Sequence, residues 1–137
     1  MSDKVKKALE KHKAGYNCAQ CVACVFSDEL GMDEDLLFRA TEGLGGGMGT
    51  TKATCGAVAG AGVVFGLKNS TGKEMPNSKG ETYKLSRELV KQFEEKNSTI
   101  ICEELKGVKT KKVLRSCDGC IQDAVEIAEE ILKKQTV

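Results

Sequence analysis

Seven of the 137 residues are cysteine, and seven is an odd number. A complete set of intrachain disulfides is therefore impossible. Cysteine at this density in an intracellular chain points to metal, cluster or thiol redox chemistry. The fold must bring some of these sulfurs together and keep others apart. Compartment matters to that argument. Residues 1–13 carry five lysines but no apolar core and no small-residue cleavage site, so they do not read as a secretory signal. The most apolar stretch, residues 55–67, is too short to cross a bilayer. The default is the cytoplasm, where thiols stay reduced and disulfide staples explain little. A mature exported protein with its leader removed would read the same way.

The rest of the composition is that of one ordinary globular domain spanning residues 1–137. Lys plus Arg is 21 against 20 for Asp plus Glu. That balance asks for no nucleic-acid or membrane partner. Aromatic residues make up 4% and there is no Trp, which leaves no stacking platform for bases.

Apolar periodicity predicts helices throughout. The first covers 3–14, with Val5, Ala8 and Leu9 inward and Gly15 as its stop. Asn17 caps a second, 18–30, and Asp33 caps a third, 34–41. The run Gly43 to Gly49 reads as a loop with positive φ values or close backbone packing. A fourth helix, about 55–66, places Gly56, Ala59, Gly60 and Val63 on one face. So little bulk there lets another helix or a cofactor approach closely, from within the chain or from a second copy in a homo-oligomer. Residues 68–80 form a loop around the only proline, Pro76. A long helix runs to about Lys96 with Leu85, Leu89, Val90 and Phe93 inward. A short turn spans 100–105, a basic irregular segment 108–116, and a last helix 117–134. No stretch alternates long enough to make a sheet strand. The expected fold is all-α, a compact single-domain bundle of about five to six helices.

Several cysteines fall where these helices begin. Cys18 follows Asn17, Cys55 follows Thr54 and Cys117 follows Ser116, and Cys102 lies three residues after Thr99. Helix starts present free N–H groups and the positive end of the dipole, which favour a thiolate. Four such starts meeting at one point would stabilise four thiolates around a metal or an anionic cluster. Cys21 and Cys24 extend the first set to C-x2-C-x2-C, but the fourth cysteine and proline of a bacterial ferredoxin run are missing. Cys24 lies roughly 240° round the helix axis from Cys18, away from any site that Cys18 and Cys21 share. Cys117-Asp118-Gly119-Cys120 opens a helix in the layout of a dithiol redox pair.

Other motifs are mostly negative. The only histidine, His12, lies in a lysine-rich helix and reads as a solvated bystander. No cysteine pair is followed by histidine, so covalent haem and a Cys2His2 finger are excluded. The glycine run before Lys52 fits neither a P-loop nor a dinucleotide fingerprint. It is a tight turn or a nest of N–H groups near an anion or cluster sulfur. Lys109, Lys111, Lys112 and Arg115 make a solvated basic loop, or a patch that steers an acidic redox partner.

Three stretches together resemble a known family. They are Gly15-Tyr16-Asn17-Cys18-Ala19-Gln20, Gly45-Gly46-Gly47-Met48-Gly49 and Thr54-Cys55-Gly56-Ala57-Val58-Ala59-Gly60. The family is that of redox-active proteins named for a C_GCAxxG_C_C pattern, and the likeness runs over about 15–128. This chain has Thr54 where the family name has a glycine before the central cysteine. Matched residue by residue, the family cysteines are Cys18, Cys55, Cys102 and Cys117, with Cys21, Cys24 and Cys120 additional. The resemblance implies a helical domain with a redox role.

Three functions compete. The first is an iron–sulfur cluster on Cys18, Cys55, Cys102 and Cys117, serving electron transfer with a redox partner protein. The second, close behind, is a metal-free thiol–disulfide oxidoreductase, with Cys117 attacking and Cys120 resolving. The third is a structural zinc site on the same four cysteines. No general acid or base constellation is visible for any other chemistry.

Overall fold

The structure is a computed structural model that describes residues 1–135. The last two positions of the expected domain, 136 and 137, lie outside the described residues. The fold is all-α and single-domain. Its elements are α1 (Asp3–Lys13), α2 (Cys18–Cys24), α3 (Ser27–Leu30), α4 (Glu34–Thr41), a short α5 (Gly45–Met48), α6 (Gly56–Asn69), α7 (Lys79–Asn97), α8 (Cys102–Lys106) and α9 (Cys117–Gln135). Among the described residues the one extended pairing is an isolated antiparallel bridge between Thr54 and Ile101. None of these helices is long and apolar enough to cross a membrane.

Local chemistry explains most of the boundaries. Ser2 caps α1 by accepting from the Val5 N–H, and Asp33 caps α4 through Leu36. Asn17 and Gln20 form a reciprocal capping box at the start of α2. The expected single helix 18–30 is broken in two. The backbone tightens at Val25 and Phe26, and the Phe26 ring turns fully into the core. Helix α3 then ends on Gly31, which is left-handed at φ 63.

Helix α2 is the centre of the molecule, with α1, α4, α6 and α9 all packed against it, and α9 also packs on α1, α6 and α7. Phe26, Phe65, Phe93, Leu89, Ile121 and Val125 fill the space between them. Burying each such side chain contributes roughly 1.5–3 kcal/mol. The small face of α6 is used against α2. A Cβ on Gly60 would come within 2.6 Å of the Ala19 carbonyl oxygen, so the two backbones could not meet this closely with a side chain there.

The glycine run forms one left-handed turn. Gly46, Gly47, Met48 and Gly49 have φ of 60, 61, 61 and 73, and the Gly49 N–H returns to the Gly45 carbonyl at 3.0 Å. An L side chain in that conformation costs about 1–2 kcal/mol per residue, which three glycines avoid. The turn wedges between α2 and α8. A Cβ at Gly45 would strike the Asn17 side chain at 2.5 Å, and one at Gly47 would strike Cys102 Cβ at 2.6 Å.

Candidate functional site: a cavity walled by cysteines

Backbone pairing brings distant cysteines side by side. The Cys55 N–H donates to the Ile100 carbonyl at 2.6 Å, and the Cys102 N–H donates to Ala53 at 3.0 Å. These bonds flank the Thr54–Ile101 bridge and zip the start of α6 to the start of α8. From the other side come Cys18, first residue of α2, and Cys117, first residue of α9. Ser116 caps α9 by accepting from the Gly119 N–H at 3.0 Å. Cys55 differs from the sequence expectation by one position, since it is itself the N-cap of α6 and Thr54 precedes the helix. Thr99 does not cap α8 either. Its hydroxyl accepts from Ile101 N–H and donates to the Glu104 carboxylate, and Ile101 is the cap residue.

Cys18, Cys55, Cys102, Cys117 and Cys120 line one small cavity, closed by Leu105, Lys106, Arg115 and Gly56. All seven cysteines of the chain are free thiols. The cavity holds about 10 Å³ of free space, roughly one water molecule. Cys55, Cys102 and Cys120 are buried, whereas Cys18 and Cys117 are half-buried.

These thiols differ sharply in ionisation. A hydrogen bond from the Cys120 thiol brings Cys55 down to about 7, against burial and with help from the Ala57 and Val58 N–H groups at the start of α6. The same hydrogen bond, with burial, holds Cys120 well above the usual thiol range. Burial also pushes Cys18 and Cys102 up, and at Cys18 the Gly46 N–H in the left-handed turn opposes it only partly. The expectation that helix starts lower every one of these cysteines is thus corrected. At Cys18 and Cys102 desolvation outweighs the dipole. Burial works against the charge on Lys106, but the Cys117 and Cys102 sulfurs beside it raise its pKa, and it shares a hydrogen bond with Cys117.

The metal expectation is overturned. Among the described residues no three His, Cys, Asp or Glu side chains are grouped so that they could hold a metal ion. Cys18, Cys55, Cys102 and Cys117 wall the cavity but are not grouped as the ligands of one ion. A space sized for one water does not admit a cluster of irons and sulfides. The iron–sulfur assignment, with electron transfer through it, and the zinc alternative on the same ligands are therefore both corrected.

Cys21 and Cys24 take no part. Cys21 is fully buried and points its thiol at the Tyr16 carbonyl, 3.7 Å away, so it shares no site with Cys18. Cys24 packs in the core, 3.8 Å from the Glu34 carbonyl. Burial pushes them up to about 12 and about 11.

The wall residues Lys106 and Arg115 were not singled out as site residues by sequence. The segment after α8 folds back so that the Leu114 and Arg115 N–H groups both donate to the Leu105 carbonyl. The Arg115 guanidinium then crosses the first turn of α9. A Cβ on Gly119 would lie 2.4 Å from its Nε, which explains the glycine between the two cysteines. Arg115 ends on Asp123, donating from Nε and Nη2 at 3.0 Å each. Asp123 has no exposed surface and also accepts from Lys96 at 2.8 Å and Asn97 at 3.0 Å. Its burial disfavours the charge, but these donors hold its carboxyl below the ordinary range. Its signal in the sequence is one carboxylate between Ile121 and Ala124 on the apolar side of the last helix.

Two surface readings also change. His12 is not a bystander, because its Nδ1 donates to Asp118, inside the Cys117–Cys120 motif, at 2.6 Å. Arg115 leaves the basic patch for Asp123, and Lys109 pairs with Glu103 at 3.6 Å.

A family model described as "Putative redox-active protein (C_GCAxxG_C_C)" matches residues 16–131. No curated protein and no solved structure matches the chain.

Proposed function

The chain belongs to the C_GCAxxG_C_C family of redox-active proteins, and on that premise we propose that it is a metal-free thiol–disulfide oxidoreductase working through Cys117 and Cys120. One observation carries the reading. The two cysteines open α9 on the wall of a common cavity, the first half-buried at its mouth and the second buried within. That is the division of labour a dithiol exchange needs.

Cys117, as thiolate, attacks one sulfur of a partner's disulfide. The partner's S–S bond breaks, a mixed disulfide forms on Cys117, and the departing sulfur takes a proton from solvent. Cys120 then loses its proton and attacks the Cys117 sulfur. The second partner sulfur leaves and is protonated. The partner's disulfide becomes two thiols, and Cys117 and Cys120 become one disulfide. Run backwards, the same steps oxidise a partner dithiol. The partner is a redox protein, and the reaction suits a reducing compartment such as the cytoplasm.

The test is turnover of insulin disulfides with dithiothreitol as reductant. The Cys120→Ser variant should accumulate a mixed disulfide on Cys117, visible as a mass increase that dithiothreitol removes. Free Cys117 in that variant, with wild-type turnover, would overturn the proposal.

A further inference from the structure

Cys120 has two sulfur neighbours in the cavity, and the reading above uses only one. Cys55 is the other. It comes from a different part of the chain and lines the same small cavity as Cys120. We infer that Cys55 is a third redox thiol, which attacks the Cys120 sulfur of the Cys117–Cys120 disulfide and moves the bond inward to Cys55–Cys120. This rests on the dithiol reading and deepens it.

The geometry favours the transfer in three ways. Cys55 and Cys120 already wall one cavity of about 10 Å³ before any oxidation, so little movement is needed to join them. Cys55 is 5% and Cys120 3% exposed, which makes the final disulfide inaccessible to a protein-sized reductant. Cys117, the leaving sulfur, shares a hydrogen bond with the Lys106 ammonium, so the charge it acquires meets a cation. The other two cysteines of the cavity are held elsewhere. Cys18 is held by the Gly46 N–H, and Cys102 is packed against Gly47. The lowered pKa of Cys55 supports its role as the attacking thiolate.

The step balances without a further oxidant. The Cys117–Cys120 bond breaks and the Cys55–Cys120 bond forms. Negative charge passes from the Cys55 sulfur to the Cys117 sulfur. The electrons for the pair have already gone to the partner's disulfide. Cys117 returns to the mouth as a thiolate, which solvent protonates, while the oxidising equivalent stays inside. The reverse attack by Cys117 on Cys120 brings the disulfide back out when a reduced partner arrives.

Disulfide mapping decides the matter. The full chain is oxidised with oxidised glutathione, quenched in acid, alkylated and digested without reduction, then read by mass spectrometry. Brief oxidation should yield Cys117–Cys120, and equilibration should convert the majority to Cys55–Cys120 with Cys117 alkylated. In Cys55→Ser the bridge should stay at Cys117–Cys120 and be reduced faster by a protein dithiol. An equilibrium bridge at Cys117–Cys120 in the wild-type chain would overturn the inference and leave the dithiol reading standing. Absence of any bridge at Cys120, together with no insulin turnover, would remove both. The wild-type map decides even if the variant folds poorly.

Discussion

Helices α2 and α9 both carry cysteines at C-x2-C spacing, Cys18, Cys21 and Cys24 on one and Cys117 and Cys120 on the other. On α9 both sulfurs reach the cavity. On α2 only Cys18 does, while Cys21 and Cys24 face backbone carbonyls in an apolar core. A carbonyl oxygen accepts from a thiol but gives a thiolate nothing, so burial there preserves the proton. In the cavity Cys120 also faces a carbonyl, that of Arg115 at 4.0 Å, but Cys55 beside it is left ionisable near neutrality. The difference teaches that spacing selects which sulfurs share a helix face, and neighbours decide whether they react.

The sharpest way to break this comparison is to remove one sulfur from each helix. Cys117→Ala should abolish insulin-disulfide turnover, and Cys24→Ala should leave it near the wild-type rate. Equal loss in both would erase the distinction. Next in size is Asp123→Ala. It leaves the Arg115 guanidinium and the Lys96 ammonium without their buried carboxylate. Because both cations are partly exposed, the cost should be about 3 kcal/mol, the low end for breaking a buried pair. Urea denaturation would measure it.

A pH series separates Cys55 from the core thiols by sign. Cys55 titrates at about 7 in the folded chain against 9.0 for an ordinary thiol, so its contribution to stability is present above 9 and lost as pH falls through 7. Cys21 and Cys24 run the other way. Their contribution is full below 9 and is lost as pH climbs through about 11 and 12. Urea midpoints should therefore rise from pH 7 to 9 and fall beyond it. In Cys55→Ser the rise should vanish and the fall remain. The smallest effect is Cys21→Ala, which removes one buried sulfur. It should cost about 1 kcal/mol in urea denaturation without touching turnover.

Much of this arrangement is legible in the residues. Helices α1, α4, α7 and α9 follow from apolar period and caps, and the glycine run announces its positive φ values. The starts at Cys18 and Cys117 fall where N-cap reasoning puts them, whereas α8 begins two residues later than expected, at Cys102. The break between α2 and α3 is not legible, because no Gly or Pro marks Val25 and Phe26 and only the demand of the core turns the ring inward. Placement at helix starts also made Cys18, Cys55, Cys102 and Cys117 a metal set. Whether four sulfurs converge or merely wall a space depends on distances that spacing does not contain. The Cys55–Cys120 contact joins α6 to α9, and the Asp123 network joins α7, the segment before α9 and α9 itself. Partners so far apart in sequence leave no local pattern.

Helix α9 closes the molecule by packing on α1, with the Ser2 hydroxyl donating to Glu129 at 2.8 Å. A ribosome delivers α9 after every other helix described here. Until it emerges, the cavity of Cys18, Cys55 and Cys102 lacks one wall. A growing chain in an oxidising environment would have several wrong thiol pairings open to it before Cys117 and Cys120 exist. Correct biogenesis therefore calls for reducing conditions until the last helix has docked.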